Sequence, residues 1–129
     1  MKKKYLIVIA NYYENISKGL LDSALSLIPK SNSIKIINVP GVFEIPVTIS
    51  KNAKKYDAFL ALGCVIKGET PHFDFISKAT TNAIMDLSIN NKKPIGNGII
   101  TCLNMSQAKA RVKKGAEAVE AVISILSQK

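Results

Sequence analysis

The sequence has one histidine, one arginine, two cysteines and no apolar run approaching the roughly 20 residues that a membrane-spanning helix needs. Cys64 and Cys102 stand in apolar surroundings, with neither a second cysteine nor a histidine at ligand spacing. That excludes the common structural metal patterns and predicts two reduced thiols, in or near the core of a cytoplasmic protein. The opening Met1-Lys2-Lys3-Lys4 and the apolar stretch Tyr5 to Ala10 imitate a secretory signal. The stretch is too short, however, and it runs into Asn11-Tyr12-Tyr13-Glu14 without a small-residue cleavage site. Acidic residues are scarce, nine against eighteen basic ones, for a formal charge of +9. All but one of the basic residues are lysines, spread along the chain without a basic helix, an RNA-binding signature or interleaved aromatics. The charge suits an anionic partner, whether nucleic acid, a membrane surface or a phosphorylated metabolite, and does not by itself choose among them; the scatter of the lysines speaks against nucleic acid.

What is present is the material of one compact domain spanning 1–129. The 129 residues are 47% hydrophobic and 21% charged, with no linker, internal repeat or low-complexity segment. Lys4 to Ala10 is a continuous run containing Ile and Val, as expected of a strand buried on both faces. Ile16, Leu20, Ala24 and Leu27 then recur at helical spacing until Pro29, and Ile34 to Val39 is a second strand. After Pro40-Gly41 a helix is expected over Phe43 to Tyr56, with Pro46 in its first turn, followed by a strand over Ala58 to Ile66. Pro71 to about Asn90 places Phe73, Ile76, Thr80, Ala83, Ile84 and Leu87 on one face, with Thr70 as N-cap and Pro71 as first helical residue. A fourth strand over Ile95 to Thr101 and helices over Asn104 to Val112 and Lys114 to Ser127 complete the chain. Alternating strands and helices predict an α/β three-layer sandwich around a four-stranded parallel sheet. In such folds ligands bind beyond the carboxyl ends of the strands. Four loops lie there: Asn11 to Asn15, Val39 to Pro46, Gly63 to Phe73 and Thr101 to Met105. A sheet this small leaves poorly covered edges, which favours burial against copies of itself.

The loop from Gly63 to Asp74 carries the only histidine, His72, where a strand end meets a helix start. An imidazole gains and loses protons near neutral pH, and free backbone N–H groups at a helix start, with Gly68 and Thr70 nearby, attract phosphate. Equally, Thr70-Pro71 can be a plain cap and His72 a surface residue. Arg111 is the only arginine, and its planar fork grips phosphate at two points as lysine cannot; a solvated helix position is the alternative. Phe43-Glu44 and Tyr12-Tyr13 add flat aromatic surface and a carboxylate to the same sheet edge, although such aromatics also serve as packing. The combination fits a small, planar, phosphate-associated metabolite.

Two loops, Val39-Pro40-Gly41-Val42-Phe43-Glu44-Ile45-Pro46 and Gly63 to Asp74, occur in the order and spacing of the signature loops of lumazine synthases, and the chain resembles that family. The likeness continues through Pro94 to Thr101, Gln107-Ala108 with Arg111, and Lys114-Gly115-Ala116-Glu117-Ala118. The resemblance implies the flavodoxin-like lumazine synthase fold. It also implies a cofactor-free condensation of 5-amino-6-(D-ribitylamino)uracil with 3,4-dihydroxy-2-butanone 4-phosphate, the penultimate step to riboflavin. By motif position Tyr12 stacks on the pyrimidine, Val42, Phe43 and Glu44 with Cys64, Val65 and Ile66 hold ring and ribityl chain, and Glu69, Thr70 and Arg111 hold the phosphate. His72 moves protons, and Asn97 lines the site where many members have Phe. The family implies a homo-oligomer, a pentamer, with Asn97 and Arg111 supplied by the neighbouring subunit. The chain departs from the family in a short stretch before the first strand and a shortened segment between Arg111 and Lys114-Gly115, which bears on Lys113, Lys114 and Glu117.

Two other functions compete. A flavin- or lumazine-binding scaffold without turnover would dispense with His72 or Arg111, and both are retained. A flavodoxin or receiver domain would need a Ser/Thr/Gly-rich loop or an acidic cluster at the strand ends. Those ends read Asn11-Tyr12-Tyr13-Glu14-Asn15, Ala10-Asn11 and Gly63-Cys64 instead.

Overall fold

A computed structural model describes residues 2–128. The element order is β1 (Lys4–Ala10), α1 (Glu14–Leu25), β2 (Ser33–Val39), α2 (Ile45–Asn52), β3 (Ala58–Ile66), α3 (His72–Asn91), β4 (Ile95–Cys102), α4 (Met105–Ala110) and α5 (Lys114–Leu126). The four strands form one sheet in the order β2-β1-β3-β4, and every pairing is parallel. β1 and β3 are central, which is why they are continuous apolar runs: Tyr5 to Ala10 and Ala58 to Cys64 are buried throughout.

Side-chain alternation along the strands divides the core into two halves. Tyr5, Ile7, Ile9, Leu60, Leu62 and Cys64 pack with Leu20 and Ala24 of α1 and Val119 and Val122 of α5. Leu6, Val8, Ala10, Phe59 and Ala61 pack on the other face with Ile45 and Ile49 of α2 and Ile84 of α3. The α5 layer lies close to the sheet because β4 carries glycine there: a Cβ on Gly96 would sit 2.4 Å from the Ala118 carbonyl oxygen.

The expected architecture is observed, with three local differences. The helix expected over Phe43 to Tyr56 is split into a 3-10 turn at Val42–Glu44 and the shorter α2. The Glu44 N–H donates to the Gly41 carbonyl (3.2 Å), and Pro46 sits in the first turn of α2, where its missing N–H leaves no bond unmade. The chain must then leave the helix by Asn52 so that Asp57 N–H can donate to the Lys4 carbonyl at the start of the sheet (2.8 Å).

Leu27, placed on the buried face of the first helix by its spacing, lies beyond the end of α1 and is 40% exposed. Pro29 disfavours helical geometry at the residue before it, so the chain turns and Ile28 takes the core position. Finally, α3 starts one residue later than expected: Pro71 holds the cap position, its carbonyl accepting from Asp74 and Phe75 N–H.

Candidate active site

The carboxyl ends of β1, β2 and β3 feed three loops that converge on a cavity of about 620 Å³. Its wall contains Tyr12 and Tyr13 after β1, Gly41 to Glu44 after β2, and Cys64 to Ile66 at the end of β3. Gly68, Thr70, His72, Phe73 and Ile76 close it from the loop after β3 and the first turns of α3. Tyr12, Val42, Phe43, Glu44, Cys64, Val65, Ile66, Thr70 and His72 are thus brought together by the topology, from segments far apart in the chain.

The wall combines flat apolar surface with few polar groups, as small-molecule sites do. Tyr12 is 75% exposed and Phe43 61% exposed, so both present ring faces to the cavity mouth. Glu44 is held by the 3-10 turn: its Oε1 accepts from the Gly41 N–H at 3.0 Å. That bond fixes the carboxylate and leaves its second oxygen available to accept hydroxyl hydrogen bonds. His72 is the first residue of α3, exposed, with its N–H directed at the Thr70 hydroxyl oxygen at 3.4 Å. Of the N–H groups of this first turn only that of Phe73 has no partner among the described residues; it and the helix start suit a phosphate, and Gly68, where a Cβ would meet no neighbouring atom, leaves room for one.

Cys64 forms part of the cavity floor but is no nucleophile. Burial, reinforced by the neighbouring Cys102 thiol, pushes its thiol up to about 12. Both cysteines are buried and free. The Tyr13 hydroxyl is also pushed up, by burial first and then by Tyr12 and Cys64. Among the described residues no cluster of His, Cys, Asp or Glu has the arrangement of a metal site.

Three expected site residues lie apart. Asn97 and Arg111 line a separate hollow of about 590 Å³, together with Thr81, Thr101, Lys113, Lys114 and Glu117. There Asn97 Oδ1 accepts from the Ile99 N–H at 3.1 Å, and Arg111 Nη1 lies 4.0 Å from Cys102 Sγ. Glu69 is exposed and is not on the wall of the first cavity. Conversely, the cavity takes in Gly41, Phe73 and Ile76, which the sequence pattern assigned to a turn and to a helix core face; spacing cannot tell a core wall from a cavity wall.

The family model for 6,7-dimethyl-8-ribityllumazine synthase matches residues 2–129. Curated proteins with that name are similar over nearly the whole chain. The Bartonella tribocorum protein is 43% identical, covering 100% of this chain and 93% of its own. That alignment runs over 140 positions while this chain supplies 129, so the chain is internally shorter than that relative. The Methylobacterium radiotolerans protein is 40% identical, with 98% and 82% covered, and the Nitrobacter hamburgensis protein is 39% identical, with 94% and 82% covered. A parallel four-stranded sandwich with its cavity at the two signature loops, matched along its length by these proteins, belongs to the 6,7-dimethyl-8-ribityllumazine synthase family.

Proposed function

We propose that the chain is a transferase that condenses 5-amino-6-(D-ribitylamino)uracil with 3,4-dihydroxy-2-butanone 4-phosphate to 6,7-dimethyl-8-ribityllumazine, in riboflavin biosynthesis. The observation that carries this is the single cavity uniting Tyr12, Glu44, Thr70 and His72 at the strand ends of a family member. Tyr12 takes the ring face, and Val42, Phe43, Cys64, Val65 and Ile66 enclose the ring and the ribityl chain, whose hydroxyls donate to Glu44. The phosphate rests on the first turn of α3 near Glu69 and Thr70.

One substrate brings an amine, and the other brings a ketone and a phosphate leaving group, so the protein has to align them and move protons. Alignment supplies on the order of 7 to 11 kcal/mol, and acid-base help from His72 about 3 to 5 kcal/mol. Arg111 is the phosphate clamp and Asn97 a wall residue. Both stand in a different hollow from His72, which supports a site completed by a neighbouring copy in a homo-oligomer, a pentamer by family resemblance. The two free cysteines favour a reducing compartment, the cytoplasm.

The test is the appearance of lumazine absorbance when both substrates are mixed with the protein, against the uncatalysed rate and an Arg111→Lys variant. Acceleration is expected, with the variant weakened mainly in KM for the butanone phosphate. An assembled wild-type protein that gives no acceleration would overturn the enzymatic assignment in favour of a binding scaffold.

A further inference from the structure

Two tyrosines stand side by side on the cavity wall, and their geometry gives them different tasks. The ring centroids of Tyr12 and Tyr13 are 4.9 Å apart and the planes are at 81° to each other. A flat ligand lying on one ring is therefore nearly perpendicular to the other, so the two cannot stack on the same substrate. Tyr12 is 75% exposed, with a face open to the cavity. Tyr13 is half-buried and packed against the core cluster of β1, β3 and α1, which occupies part of its ring and fixes its position.

Among the described residues the hydrogen bonds on this stretch of wall join Gly41 to Glu44 and His72 to Thr70, and none engages the Tyr13 hydroxyl. A perpendicular ring next to a stacked one reaches the rim of the ligand, and the rim of an aminouracil carries carbonyl oxygens that accept hydrogen bonds.

We propose that Tyr13 is a substrate-orienting residue whose hydroxyl donates to a ring carbonyl oxygen of the aminopyrimidine while Tyr12 covers the ring's face. The inference rests on the proposed condensation. Stacking alone lets a flat ring rotate in its own plane; a donor at one point of the rim stops that rotation and aims the reacting amine at the ketone. Burial keeps this hydroxyl protonated well above neutral pH, so it serves as a donor throughout the working range.

The test is Tyr13→Phe, which keeps the ring and its packing and removes the donor. Loss of one neutral hydrogen bond should raise KM for the aminopyrimidine about three- to tenfold, with KM for the butanone phosphate unchanged. Tyr56→Phe, at the opposite edge of the sheet and edge-on to Phe59, is the control and leaves both constants in place. A Tyr13→Phe protein with unaltered constants overturns the proposal, as does one in which both KM values rise together with a fall in Tm, which is the mark of packing alone. Binding of the lumazine product, followed by its fluorescence, gives a second readout: weaker binding in Tyr13→Phe is expected, and equal binding overturns the proposal. Wild-type protein that makes no lumazine refutes the condensation itself, whereas active wild type with an indifferent Tyr13→Phe refutes only the role of Tyr13.

Discussion

His72 and Cys64 face the same cavity from α3 and β3, and they differ in what their protons can do. His72 is exposed at a helix start, whereas Cys64 holds its proton to about pH 12 because burial and the Cys102 thiol disfavour the thiolate. If His72 supplies the proposed acid-base help, its removal leaves alignment intact, so His72→Ala should lower kcat by about 10² to 10⁴-fold and still exceed the uncatalysed rate. A correctly assembled variant with no residual acceleration would contradict a chemistry dominated by positioning. For Cys64 the consequence is a dependence of stability on alkaline pH. Its folded value lies above the ordinary 9.0, so its contribution is fully present below pH 9.0 and is lost as pH rises through the folded value. The slope reaches up to about 1.4 kcal/mol per pH unit. Thermal unfolding of the wild type should therefore fall more steeply between about pH 9 and about pH 11 than that of Cys64→Ala. Parallel curves would show that Cys64 is not held protonated.

The two helices α5 and α1 pack directly on one another, and glycine makes their close approach possible. A Cβ on Gly115 would lie 2.1 Å from the Leu20 carbonyl oxygen and 3.2 Å from the Ala24 N, both backbone atoms that cannot rotate away. Gly115→Ala should thus push α5 off α1 and destabilise the protein by about 1 to 3 kcal/mol or more, measured by urea unfolding, although alanine is the better helix former. The elements themselves were legible in the sequence wherever one physical signal dominated. Central strands β1 and β3 announce themselves as continuous apolar runs, and α3 keeps Phe73, Ile76, Thr80, Ala83, Ile84 and Leu87 on its inner side as its spacing predicts. The break at Glu44 was not legible, because Val42 to Ile49 has apolar spacing that a 3-10 turn and an α-helix satisfy equally. The gathering of several candidate site residues on one cavity was legible in the same measure. Parallel topology sends the loops bearing Tyr12, Glu44 and His72 to one edge, so their meeting follows from strand order. The placing of Glu69 and the relative orientation of Tyr12 and Tyr13 depend on side-chain directions within loops, which no periodicity encodes.

Across the whole molecule, the α2–α3 face is too apolar for water. α3 has 20 residues, yet only Thr80 and Ile84 are fully buried, while Phe75, Met85 and Ile89 are 69%, 58% and 64% exposed. Phe43 and Val47 flank them from the neighbouring turn and helix, and a hollow of about 410 Å³ between the two elements is lined by both. Among the described residues the buried hydroxyls of Ser77 and Thr80 on α3 have no hydrogen-bond partner. Such exposed apolar surface favours the proposed assembly, since a closed ring of copies would cover it without leaving open ends. Native mass spectrometry should accordingly find five times the 14.0 kDa chain mass, and Phe75→Asp should dissociate the assembly. The sharper consequence concerns the site, because His72 and Arg111 face separate hollows of the same chain. If each site takes His72 from one copy and Arg111 from the next, His72→Ala and Arg111→Ala are both poor enzymes alone but complement each other. Unfolding an equal mixture and refolding it together gives about a quarter of the interfaces both wild-type side chains, so activity should rise well above either parent. Chains that each held a complete site would yield only the average of the two parents.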